Sequence, residues 1–193
     1  MRLRDLQTQI ASANSQISTL NSQVSSLNHV VAGLQSKPTV LVLASNFPAA
    51  TQTTVTRADV TGWNFNVVAG KRYRIEVFGT YQTAATTTGG SIGFYLPSGA
   101  GTIRGFVSMA ILQTNVAASI ITTSIHAINA TTTTANSFST STGVGVINSP
   151  HSVMAELEFT CTTSGVFRIQ WGTEVANSLA TLLANSKVIV QEI

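Results

Sequence analysis

Charge is what this chain has least of. Only 9% of its residues are Asp, Glu, Lys or Arg, against roughly a quarter in ordinary soluble domains, and from Gly105 to Ala155 there is none. Uncharged stretches of that length suit strands and loops covered by other subunits, which points to assembly rather than a free monomer. Cysteine is nearly missing as well. Cys161 stands alone, so no intrachain disulfide can form, and it is expected in or at the end of a strand as a small hydrophobe. Long apolar runs are also lacking. Thr, Ser, Asn and Gly interrupt every few positions and no stretch of about 18 apolar residues occurs, so membrane insertion is not expected. Met1-Arg2-Leu3-Arg4-Asp5 does not resemble an export segment, and synthesis in a host cytoplasm is the expectation.

Residues that carry chemistry are scarce too. The chain has seven carboxylates and three histidines. Glu156 and Glu158 form the only close carboxylate pair. On a strand they would lie about 6.6 Å apart on one face, near the separation of an inverting glycosidase. Such an enzyme needs two unlike environments across a cleft, whereas neighbours on one open strand share theirs, so a solvated face is the better account. His29, His126 and His151 show no HxH or HxxxH spacing and no cysteine partner, so no metal site or cofactor is expected. No phosphate-binding glycine loop or nucleophile elbow occurs. Lys71, Arg72 and Arg74 make the one basic cluster, too narrow and too poor in aromatics for a nucleic-acid footprint. No catalytic residue is assigned.

What the chain does have is a strict heptad. With Leu3 at position a, the a series is Leu3, Ile10, Ile17, Val24 and Val31, and the d series Leu6, Ala13, Leu20, Leu27 and Leu34. A seven-residue repeat drifts around a straight helix, so this pattern implies a left-handed supercoil with other copies of the chain. Within the stalk, residues 1–36, the helix from about Leu3 to Leu34 would extend roughly 48 Å. Its e positions Gln7, Asn14, Asn21, Asn28 and Gln35 are uncharged amides, so salt bridges cannot select partner or orientation. The heptad leaves dimer and trimer open: β-branched a with Leu d nominally favours two strands, while Val30 at g widens the seam and favours three. Gly33 and Ser36-Lys37-Pro38 end the helix, since Pro38 lacks a donor and biases Lys37 toward extended geometry.

From Pro38 the period changes from seven to two. Thr39 to Ala44 is expected as a largely buried strand. Trp63–Val68 and Tyr73–Phe78 follow, joined by an Ala69-Gly70-Lys71 turn, with Tyr73, Ile75 and Val77 on one face and Arg72, Arg74 and Glu76 on the other. Val153–Cys161 repeats the alternation, and Ser164-Gly165 turns into Val166–Trp171. Lys187–Ile193 closes the domain; Ile92–Leu96, Ile103–Leu112 and Ser119–Ile128 fill the middle. Thr131–Thr134 and Ser137–Thr142 are expected as loops or edge strand. Many short strands without a second helical pattern predict a mainly β fold, a jelly-roll β-sandwich over residues 38–193. Candidate surface-binding residues sit in its loops and on an outward aromatic: Thr86, Thr87, Thr88, Tyr95, Ser98, Thr132 and Thr133.

Some of these segments carry a family resemblance. Ala69-Gly70-Lys71-Arg72-Tyr73, the Ala84-Ala85-Thr86-Thr87-Thr88-Gly89 loop with Gly93-Phe94 beyond it, and Trp171-Gly172-Thr173-Glu174-Val175 through Glu192 resemble a β domain at the C-terminus of tailed-bacteriophage tail-fibre and minor virion structural proteins. The resemblance runs from about Thr39 to Ile193. It implies a homotrimeric virion fibre with an N-terminal coiled coil and a knob in the style of tumour-necrosis-factor-like trimers, and it brings no catalytic residues. The expected function is attachment, with the knob contacting a host surface glycan or protein and the fibre joined to other virion proteins of tail or capsid. A head fibre or capsid-decoration spike is the alternative, and a polysaccharide depolymerase a third.

Overall fold

The computed structural model describes residues 2–35, 37–48, 57–95, 101–112, 121–132, 136–140, 143–144 and 146–193. It divides into two compact units, Met1–Lys37 and Pro38–Ile193.

The first unit is one helix, α1 (Leu3–Gln35). The backbone N–H of Arg2 donates to Asp5 Oδ2 at 3.1 Å, so the carboxylate three residues on caps the first turn and also complements the helix dipole. The hydroxyls that make this a mediocre helix-forming sequence turn inward on the backbone: Thr8, Thr19, Ser22 and Ser26 each donate to the carbonyl four residues earlier. None of that supplies an interior. Leu3, Leu6, Ile10, Ile17, Leu20, Val24, Leu27 and Val31 are 44–74% exposed.

The second unit is mainly β. Its strands are β1 (Thr39–Val42), β2 (Phe47–Pro48), β3 (Arg57–Val67), β4 (Arg72–Thr83), β5 (Gly90–Tyr95), β6 (Gly101–Leu112), β7 (Ile121–Thr132), β8 (Asn136–Thr140), β9 (His151–Cys161), β10 (Gly165–Thr173), β11 (Ala180–Leu182) and β12 (Lys187–Glu192). They form an eight-stranded sheet, ordered β1-β12-β4-β9-β6-β7 with β11 and β2 continuing from β4, and a four-stranded sheet ordered β3-β10-β5-β8. All pairings are antiparallel. The sheets face each other across one core. Tyr73, Ile75, Val77, Val153, Leu157 and Phe159 enter it from the larger sheet and Phe167, Ile169, Trp171, Ile92 and Phe94 from the smaller. Phe159 and Phe167 meet across the gap at 5.2 Å between ring centroids, as do Tyr81 and Trp171. The alternation expected in β4, β9 and β10 is therefore the inward and outward faces of these strands.

One expectation changes, and two gain detail. β1 is an edge strand, and Val40 and Val42 are 52% and 55% exposed. Among the described residues its one paired neighbour is β12, so the first strand is not largely buried. The Ala69-Gly70-Lys71 and Ser164-Gly165 turns do not close hairpins; β3 and β4 lie in different sheets, as do β9 and β10. The two corners lean on each other: Gly70 N–H donates to the Cys161 carbonyl and Cys161 N–H to that of Lys71, both at 2.8 Å. Part of the threonine- and serine-rich material takes the second form expected for it, edge strand. Thr131 and Thr132 end β7, and Ser137–Thr140 lie in β8, where the open edge of β5 meets residues of good β propensity.

Strands β3-β4-β5 and β9-β10-β11 are arranged alike and pass through each other. In the smaller sheet β10 sits between β3 and β5; in the larger sheet β4 sits between β9 and β11. The crossings from β4 to β5 and from β10 to β11 match bond for bond. Ala84 N–H donates to Leu179 O and Glu174 N–H to Gly89 O, each at 3.1 Å. Thr83 Oγ1 donates to Ala85 O and Thr173 Oγ1 to Val175 O, and the hydroxyls of Thr88 and Ser178, 90 residues apart, bond to each other.

Candidate functional surface

The residues expected to bind a partner lie in two places. Thr86 and Thr87 are exposed on the β4–β5 connection. Tyr95 ends β5 at its other end, about 17–20 Å away along a six-residue strand, so the three cannot line one small subsite. Thr88 is corrected outright: it is 1% exposed, held inward by its bond to Ser178, and offers nothing to solvent. Thr132 is the last residue of β7; Ser98 and Thr133 lie outside the described residues. Of the adjacent pair Phe94 and Tyr95, Phe94 is in the core and Tyr95 faces outward.

Tyr95 belongs to a polar plate on the outer side of the smaller sheet. Arg168, opposite it on β10, lays its guanidinium over the ring at 5.0 Å from the centroid. The same guanidinium reaches Asp59 Oδ2 at 3.3 Å, while Gln170 Nε2 donates to Asp59 Oδ1 at 2.7 Å. Asp59 is thus gripped at both oxygens. Arg57 crosses the plate nearby, donating from Nε to Ser91 Oγ at 2.7 Å, with its stem where a side chain on Gly93 would be, 2.9 Å from that position. Desolvation on this face pulls the guanidinium pKa below its usual range.

The outer side of the larger sheet is built from charge. Cross-strand register on β4 and β9 sets Arg72 near Glu158 and Arg74 opposite Glu158 and near Glu156. The bridges run diagonally: Arg72–Glu158 at 3.0 Å, Arg74–Glu156 at 2.6 Å, and Arg74–Glu76 at 3.0 Å. Arg72 and Arg74 of the basic cluster and the Glu156–Glu158 pair are the two sides of this ladder, while Lys71 bonds to Glu192 at 2.6 Å. Both glutamates are exposed and arginine-bound, which gives them like environments. Toward the other end the face turns apolar. Val42, Lys187, Phe78 and Met154 occupy one row across β1, β12, β4 and β9, and Lys187 Nζ lies 5.5 Å from the Phe78 centroid.

Neither a family model nor a curated protein matches this chain. Among solved structures, the VP2 subviral particle of infectious bursal disease virus matches at 11% identity and a TM-score of 0.27, covering 81% of this chain and 37% of that one. The Gx strain of the same virus matches at 10% and 0.25, covering 82% and 41%. This chain therefore spans well under half the length of those proteins, and overlap of that quality carries neither fold nor function across.

The histidines are accounted for individually. His29 is exposed on α1. His151 is buried, with Nε2 2.8 Å from Val146 O and its ring tilted against Tyr81. His126 lies in β7. Among the described residues no three His, Cys, Asp or Glu side chains gather as a metal set. Cys161 ends β9, buried, its thiol pushed up by desolvation against a smaller opposing effect of its bond to Thr163 O.

Sequence reasoning missed Arg104 entirely. It lies on β6 beside Glu158, in a strand that reads as small and apolar. It also missed the paired crossings, although Thr83-x-Ala85-x-x-Thr88 and Thr173-x-Val175-x-x-Ser178 repeat in the sequence at a constant offset.

Proposed function

We propose that this chain is a homotrimeric structural protein of a bacteriophage virion, with α1 as a coiled-coil stalk and the β unit as a jelly-roll knob that contacts the host surface during attachment. The observation that carries the oligomer is the stripe on α1. Eight apolar side chains at heptad core positions stay largely in water in a single chain, and a lone helix of this composition would not persist there. Supercoiling with further copies buries all of them at once. Val30, in register beside the seam and also exposed, favours three strands over two. The virion role is supported by the resemblance of the β unit to the phage domain. Attachment is supported by outward residues of the kind that meet sugars, Tyr95 and the Thr86–Thr87 loop, presented in triplicate so that weak single contacts add through avidity.

Two measurements test this. The full chain should sediment at three times 20.2 kDa and, added in excess, should compete with intact phage for adsorption to host cells. A monomer or dimer mass sinks the trimer. A trimer that leaves adsorption untouched and occurs in many copies on purified heads is a decoration spike instead.

A further inference from the structure

The ladder on the larger sheet leaves one arginine over. Register places Arg74, Glu158 and Arg104 side by side on β4, β9 and β6, with Arg72, Thr160 and Thr102 in the next row. Glu158 is bound to Arg72, and Glu156 and Glu76 to Arg74. Among the described residues no carboxylate is within ion-pair distance of Arg104. Beside it opens a groove of about 320 Å³, lined by Arg72, Thr102, Arg104, Glu158 and Thr160. Two guanidiniums against one carboxylate leave that groove with a net charge of +1.

The backbone is shaped at the same point. Gly101 and Gly105 bracket Thr102-Ile103-Arg104, with φ of +131° and +148°. A Cβ on either would stand 1.8 Å from Thr160 O or 2.0 Å from Glu156 O. Only glycine lets β6 press this closely on β9 in such a conformation, and backbone of this kind concentrates where a strand must aim a side chain. A merely solvated arginine on an open strand needs no such bracket.

We propose that this groove binds an anionic oxygen group of a surface glycan, either the carboxylate of a uronic sugar or the phosphate of a phosphorylated one. Arg104 supplies the planar fork that matches either group bidentately; the hydroxyls of Thr102 and Thr160 donate from the adjoining row, and Arg72, shared with Glu158, adds to the field. Arg168 on the opposite face is no equivalent, because Asp59 and the Tyr95 ring already occupy it. This deepens the attachment reading by naming what the knob recognises.

The test uses the purified full chain on three immobilised glycans: polygalacturonate for carboxylate, phosphomannan for phosphate, and neutral dextran. Retention is expected on at least one acidic surface and not on dextran. Arg104→Gln should cut it at least tenfold at an unchanged melting temperature, and Lys187→Gln, at the far end of the same face, should leave it intact. Absence of retention on both acidic surfaces overturns the groove, and so does an Arg104→Gln chain that binds like the parent or a Lys187→Gln chain that loses as much. Adsorption competition separates the two ideas. A chain that blocks adsorption but ignores both acidic glycans loses the groove and keeps attachment; one that is retained but does not compete keeps the groove and loses attachment.

Discussion

Ile17, Leu20 and Val24 in α1 and Ile75, Leu157 and Val153 in the β unit are the same residue types in opposite circumstances. The first three are more than half exposed and the second three are at 0%. The β unit closes over its own apolar side chains, two sheets deep, while the helix has a hydrophobic stripe and no interior. One polypeptide thus contains a region that buries a core within a single copy and a region that does not. Burial in the first is a matter of folding and in the second, in the proposed oligomer, of association.

The sharpest way to break that contrast is Ile17→Asp. Carboxylates facing each other in the proposed seam should cost on the order of 3 kcal/mol or more per helix, and sedimentation velocity should show a lower mass while near-ultraviolet dichroism of the β unit is unchanged. Next come paired truncations of one residue type. Leu157→Ala should destabilise the β unit by about 2–5 kcal/mol at any protein concentration. Leu20→Ala should show its cost only as a melting transition that moves with concentration. If both transitions move alike, the two regions are not energetically distinct.

Gly105→Ala should follow, at roughly 1–3 kcal/mol, because its methyl meets the Glu156 carbonyl; a wild-type melting temperature would mean β6 can slide away from β9 without penalty. Glu156→Gln should cost no more than about 1 kcal/mol, since the bridge is exposed and Arg74 keeps Glu76. The smallest effect is expected at Glu174. Desolvation raises its carboxyl above the ordinary value, with its bond to Gly89 opposing. Between the ordinary carboxylate range and that raised value the folded chain holds more proton than the unfolded one, so stability declines as pH rises through the window. Glu174→Gln should flatten that part of a pH–stability curve, and an unaltered slope would count against it.

How much of this was legible beforehand follows from which interactions are local. The heptad is local, and α1 runs from Leu3 to Gln35 much as the pattern and Pro38 require. Alternation is local too, so the inward residues of β4, β9 and β10 could be named from spacing alone. Sheet membership is not local. Period two states that Tyr73 and Phe167 face a core, but not that they enter it from opposite sheets, and the short turns before β4 and β10 look like hairpins unless the pairing is known. Thr88 shows the same limit at one residue. It sits in a threonine-rich loop that reads as surface, yet its hydroxyl is spoken for by Ser178. Arg104 stands out only once register shows that every nearby glutamate is already engaged.

The interlocked crossings bear on how such a chain comes off the ribosome. β4 lacks a flank until β9 and β11 exist, β5 has only β8 until β10 exists, and β1 has no partner until β12. The β unit cannot close early, whereas α1 precedes it in the chain and, in the proposed oligomer, needs only sister chains. Nascent copies zipped by their stalks would then hold unfinished strands at high mutual concentration, where a strand can pair with a sister as readily as with its own chain. Such a polypeptide should gain from slow pairing of its stalks during synthesis.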